Sequence, residues 1–305
     1  MEVQKTLYRL YLRGRCEVLL SKHGLDLMQA EQSRRDYSFR ISKGGQTINL
    51  TLLKDGKSIE AESVFEGFEP HILQILKTDE YDKLIDSDKR KLHEITSPIR
   101  ESMKQFIGLV KQEFHRSDIR DELIGNLRIE WSLDNGQWYS IPGKFTVYGW
   151  AYSLGNMNES YAKRLQKLLL ENEEALVATN YLHQARNAES GRYQWIYATI
   201  AAELAIKEVL ARMEPKLQVI LSTLPSPPLN KLYGDVLESV AGVRSEGLNR
   251  LQTGAEIRNK LLHSPESVDL SSDKVHDYIA FIEERIRWLL SEWRRIKRAK
   301  EQSEA

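Results

Sequence analysis

The sequence predicts an α+β N-terminal domain built on β-hairpins, followed by an all-α helical bundle. Apolar residues alternate with polar ones in the first half, and beyond about residue 150 they recur at three- and four-residue spacing with no further strand signal. A length of 305 residues fits two domains at about 150 residues each.

The elements follow in order. From Tyr37 to Val64 the alternating positions are Phe39 and Ile41, then Ile48, Leu50 and Leu52, then Ile59 and Ala61, with Gly44-Gly45 and Asp55-Gly56 between the runs. A period of two broken by such dipeptides reads as strands joined by hairpins. A further hairpin surrounds Asp134-Asn135-Gly136, with Ile129 and Trp131 before it and Trp138, Tyr139 and Ile141 after. Between these, Ser97 as N-cap and Pro98 in a first turn predict a helix whose stripe is Ile99, Met103, Phe106, Ile107, Val110 and Phe114. The small and polar segment from Ser153 to Asn158 marks a boundary, giving domains 1–153 and 154–305. Helices are then expected from Glu159 to Glu189, Arg192 to Met213, Asn230 to Val240, Gly247 to about His263 and Ser272 to about Lys300, with the extended stretch Leu224-Pro-Ser-Pro-Pro-Leu229 between the second and third.

Composition removes several function classes. Forty-four basic and forty-four acidic residues leave no net charge, so any polyanion signal must be local. The single cysteine, Cys16, can form neither an internal disulfide nor a thiolate metal site, and reads as an inert side chain in a reducing cytosol. No run approaches the roughly 20 apolar residues of a membrane span, so a soluble, cytoplasmic protein without a membrane partner is expected. Gly44-Gly45 leads into a strand and forms no phosphate-binding loop, and no Gly-x-Ser-x-Gly elbow occurs. The seven histidines include no pair at i,i+4. Neither a metal nor a cofactor is expected.

One segment stands apart, Ala255-Glu-Ile-Arg258-Asn259-Lys-Leu-Leu-His263-Ser264-Pro265. On a helix, Leu251, Ala255, Arg258 and Leu262 fall in one stripe, which puts a guanidinium on the face that should be buried. Asn259 and His263 neighbour each other on its flank, and Pro265 ends the helix so that the imidazole sits at its C-terminus, where the macrodipole favours the protonated ring. On the second helix Glu203 aligns with Ile196 and Leu210 among the small residues Ala198, Ala201, Ala202 and Ala205. Glu203 and Arg258 are each the partner that would make the other's burial tolerable. The chemistry of these residues leaves two readings open: a structural ion pair with a C-capping histidine, or a site.

Arg258-Asn259-Lys-Leu-Leu-His263 resembles the hallmark of HEPN domains: Arg, a polar residue, then His after four to six intervening residues near the end of a bundle helix. The run from Ile196 to Leu210 is similar to that family's alanine-rich second helix with its acidic residue, here Glu203, and the likeness spans roughly residues 159–300. The first 150 residues resemble nothing comparable. The resemblance implies a metal-independent endoribonuclease working as a homodimer, with Arg258, Asn259 and His263 catalytic and Glu203 supporting. It also implies a toxin or antiviral-defence role, restrained by the N-terminal domain or by an inhibitor or antitoxin protein. The alternative is a non-catalytic module for dimerisation and for binding RNA, nucleotide or protein. RNA has one local match: Arg285, Arg287, Arg294, Arg295, Lys297, Arg298 and Lys300, with Trp288 and Trp293 interleaved. Arg294, Arg295, Lys297 and Arg298 are its densest part, read either as a phosphate-tracking surface or as a solvated helix end.

Overall fold

The computed structural model describes residues 8–17, 35–56, 58–78, 83–114, 127–141, 157–223, 226–263, 268 and 270–304. The chain divides into two compact units, Met1–Ala175 and Leu176–Ala305.

The first unit is an antiparallel sheet of β1 (Tyr8–Glu17), β2 (Tyr37–Lys43), β3 (Gln46–Leu52), β4 (Ser58–Phe68), β5 (Arg128–Ser132) and β6 (Tyr139–Ile141), in the order β2-β3-β4-β1-β5-β6. Its helices are α1 (Pro70–Thr78), α2 (Asp86–Glu113) and α3 (Glu159–Leu170). The expected hairpins form, β2 to β3 across Gly44 and Gly45 and β3 to β4 past Gly56, all three glycines at positive φ. The β5–β6 hairpin turns at Asn135, whose φ is 60°, while Asp134 accepts the Gly136 and Gln137 amides. Those hydrogen bonds hold the Asp134 carboxyl below its usual range.

Strand β1 was not expected, yet it is central, pairing with both β4 and β5. Its alternation is legible afterwards: Leu10, Leu12 and Cys16 are buried, and Gly14 stands between them. A Cβ at Gly14 would lie 2.5 Å from Ile99 Cγ2, so this glycine is what lets α2 lie on the sheet. Helix α2 also begins earlier than Ser97-Pro98 suggests. Its 28 residues carry Pro98 inside the helix, where the buried ring packs against Gly44.

The expected single helix from Glu159 to Glu189 is two. Asn172 takes a positive φ of 49°, and Glu173 N–H donates to Leu168 O and Asn172 N–H to Leu169 O, a Schellman stop. Helix α3 consequently belongs to the first unit, and the division falls after Ala175 rather than after residue 153. The sheet holds α3 by its edge: the Gln166 amide donates to Arg40 O and accepts from Arg40 N, satisfying two ladder groups of β2. The Ser153–Asn156 part of the expected boundary lies outside the described residues.

The second unit contains α4 (Val177–Asn187), α5 (Gly191–Met213), α6 (Leu217–Thr223), α7 (Leu229–Lys231), a π-helical turn (Leu232–Val236), α8 (Leu237–Ala241), α9 (Leu248–His263) and α10 (Ser272–Glu304). Helices α5, α9 and α10 match the expected spans, whereas the helix expected from Asn230 to Val240 is broken into α7, the π-helical turn and α8, and α6, which buries none of its residues, is an addition. Among the described residues no helix is long and apolar enough to cross a membrane. Glu208 of α5 accepts the Val177 and Ala178 amides, capping α4. Burial nevertheless keeps its carboxyl above the ordinary value.

The centre of the bundle is aromatic. Trp195 stacks on Tyr278 at 3.9 Å, the Trp195 indole N–H donates to Gly254 O at 3.0 Å, and the Tyr278 hydroxyl meets Thr199 Oγ1. Burial pushes the Tyr278 phenol up to about 12. A Cβ at Gly254 would lie 2.1 Å from the Tyr278 hydroxyl oxygen. In an unhindered helix Gly→Ala gains about 1 kcal/mol. Gly254→Ala should instead destabilise by about 1–3 kcal/mol through overpacking, seen as a lower urea midpoint at unchanged slope; a raised midpoint would show that the helices do not meet this closely.

Candidate functional site

Helix α9 carries the segment singled out in the sequence, and α5 carries its partner. Leu251, Gly254 and Leu261 are the buried residues of α9. Leu262 is not part of that stripe as expected: it is 48% exposed, because the buried face is rotated toward Gly254 and Leu261. Arg258 lies at the border of this face, its side chain 25% exposed. Ala198, Ala201, Ala202 and Ala205 are all buried, which draws the bundle close around α5.

Glu203 and Arg258 do meet, in a looser arrangement than an enclosed ion pair. Arg258 Nη2 lies 3.6 Å from Glu203 Oε2, beyond hydrogen-bond reach, while Lys207 Nζ donates to Glu203 Oε1 at 2.8 Å. Arg258 Nε is buried without a hydrogen-bond partner. Burial opposes ionisation of Glu203. The hydrogen bond and charge of Lys207, with the Ser226 hydroxyl and the charge of Arg258, outweigh it and hold the carboxyl below its ordinary value. Lys207 went unnoticed in the sequence, although its i,i+4 spacing from Glu203 was a signal.

Glu203, Ser226 and Arg258 border an open cleft of about 620 Å³ between α5, the Ser226–Pro228 segment with α7, and α9. Pro227 and Pro228 form an apolar wall; Gln252, Glu256 and Asn259 form a polar row opposite, with Gln252 donating to Glu256. His263 does not line the cleft. It is exposed at the end of α9, yet Gln252, Glu256, Asn259 and His263, spaced four, three and four residues apart, share one row of the helix. The imidazole therefore stands about 6 Å of helix beyond Asn259 along the line of the cleft. The structure thus brings Arg258, Asn259 and Glu203 to one cleft and leaves His263 just outside it. Ser264 and Pro265, expected to end the helix, lie outside the described residues.

The basic run of α10 is less available than its sequence suggests. Arg285 is buried and pairs with Glu284, Arg287 pairs with the buried Glu283, and Arg295 pairs with Glu292. Arg285 is therefore withdrawn from any phosphate-tracking surface. Lys297 faces Glu301 at 3.9 Å, and Arg294 is likewise engaged. Arg298 and Lys300 are exposed. Trp293 is buried and Trp288 packs on the core, so neither tryptophan is presented for stacking. Among the described residues no group of three metal-ligating side chains occurs. Compared with protein-family models, curated proteins and solved structures, the chain matches none.

Because the Glu203 carboxyl ionises below its ordinary value of 4.5 in the folded chain, its contribution to stability is complete above that value and is lost as pH falls through the depressed one. Urea midpoints between pH 3 and 7 should fall more steeply for wild type than for Glu203→Gln, and parallel curves would contradict this.

Proposed function

We propose that the helical unit is a metal-independent endoribonuclease of HEPN type that acts on RNA as a homodimer. The observation that carries this reading is Arg258: a guanidinium beside an open cleft, with one long ion pair and an unpartnered Nε, on a helix whose polar row leads to an exposed histidine. Arginine fits a phosphate bidentately and stabilises the charge that builds on a phosphorane. His263 takes the proton of a ribose 2′-hydroxyl as general base. The 2′ oxygen attacks phosphorus, the bond to the 5′ oxygen breaks, and a proton returns to that oxygen. The products are a 2′,3′-cyclic phosphate and a 5′-hydroxyl. Asn259, between the two, orients either group.

Five residues of helix separate Arg258 from His263 by about 140° around the axis, so one copy does not converge both on one phosphate. A two-fold dimer supplies a second imidazole and guanidinium. Arg298 and Lys300, with Arg295 and Lys297 once Glu292 and Glu301 give way, and with Arg294 beside them, extend the RNA contact. The sheet-bearing unit restrains the nuclease, as a toxin or antiviral effector in the cytoplasm requires, alone or with an inhibitor protein. Glu203 and Glu256 in the cleft favour a second reading, a non-catalytic module that binds RNA, nucleotide or a protein partner.

Labelled RNA incubated with the full chain in excess EDTA should yield 2′,3′-cyclic phosphate ends. His263→Ala and Arg258→Ala should each lower the rate by about 100-fold or more at unchanged folding. Light scattering should report a dimer. No cleavage by wild type favours the binding module, and equal rates in wild type and variants remove these residues from the mechanism.

A further inference from the structure

Glu203 has two cationic neighbours and does not treat them alike. Lys207 Nζ holds Oε1 at 2.8 Å, whereas Arg258 Nη2 stands 3.6 Å from Oε2. Arg258 thus keeps capacity for a second anion at the terminal nitrogens of its partly exposed guanidinium, while its Nε is buried without a partner. Of the other charged groups on the cleft, Lys231 is paired with Asp235, and Glu256 is an exposed anion hydrogen-bonded by the neutral Gln252 amide. All three residues of the Glu203 triad are half-buried, their side chains between 22% and 25% exposed, so the contest between them is only partly screened by water.

We infer that Glu203 is a resident anion competing with phosphate for Arg258, and that Lys207 is a positioning residue that draws the Glu203 carboxylate away so the guanidinium stays free. The inference deepens the nuclease reading and rests on it for the identity of the phosphate as RNA's, but the anion site is testable without cleavage. Without Lys207 the carboxylate has one cation left, closes on Arg258 and neutralises it. Without the carboxylate, Arg258 has no internal competitor and an incoming phosphodiester meets one negative charge fewer. The two members of one salt bridge therefore act in opposite directions. A purely structural bridge would weaken the protein, and any binding, the same way whichever member is removed.

The test uses the full chain and a fluorescent 2′-deoxy oligonucleotide, which has phosphates but no 2′-hydroxyl to attack, with inorganic phosphate as competitor. By anisotropy, Glu203→Gln should bind about 2- to 10-fold more tightly than wild type and Lys207→Met should bind more weakly by a similar factor. Lys207→Arg should restore binding, which guards against a Lys207→Met chain that simply folds badly, and thermal melts of each variant accompany the titrations. Shifts of the same sign in Glu203→Gln and Lys207→Met, or no shift in either, overturn the inference. Opposite shifts without cleavage of RNA by wild type would uphold the anion site while refuting the nuclease.

Discussion

The close approach of α9 to the centre of the bundle is the constraint on which the candidate site depends. Gly254 has no side chain because the Tyr278 hydroxyl occupies the place of a Cβ, and its carbonyl takes the Trp195 indole N–H. This fixes α9 in height and rotation against α5 and α10. One turn further along, Arg258 comes level with Glu203, neither sunk in the core nor free in water. A bulkier residue at position 254 would push α9 outward and take the guanidinium with it.

The electrostatics follow from that placement. A half-buried arginine needs compensation, and a single enclosed carboxylate would give it at the cost of occupying it. Sharing the carboxylate with Lys207 leaves a charge that is tolerated yet available. The opposite solution appears on α10, where Glu283 is buried between Arg186 and Arg287 and those cations are consumed by structure. A count of basic residues along a helix does not separate the two cases; the positions of the glutamates do.

Much of the architecture was legible in the sequence. The hairpins at Gly44-Gly45, Asp55-Gly56 and Asp134-Gly136 announced themselves through turn chemistry, and α5, α9 and α10 through their spacing and stops. Strand β1 escaped because its outward residues, the charged Arg9, Arg13 and Arg15 and the large Tyr11, mask the inward Leu10, Leu12 and Cys16. Arg13 is offset by Glu130, and Arg15 by Glu60, from strands distant in sequence, which no local window contains. Proline in α2 and the asparagine stop after α3 misled for a shared reason: tertiary contacts tolerated Pro98 inside a helix and exploited Asn172 at its end. At the site, the Glu203–Arg258 pairing was foreseen from two polar residues in apolar stripes. The part played by Lys207 and the exposure of Leu262 depend on helix rotation, which periodicity fixes only to within a residue.

The central claim is that Arg258 is held beside an open cleft with its guanidinium free to take an anion. The most direct measurement is the Arg258 Nε–Hε resonance, assigned with Arg258→Lys in arginine-labelled protein and followed while inorganic phosphate is added. A saturable shift of that resonance, absent from those of Arg186 and Arg287, is the predicted result. An Arg258 resonance that stays still while exposed arginines respond would contradict the account.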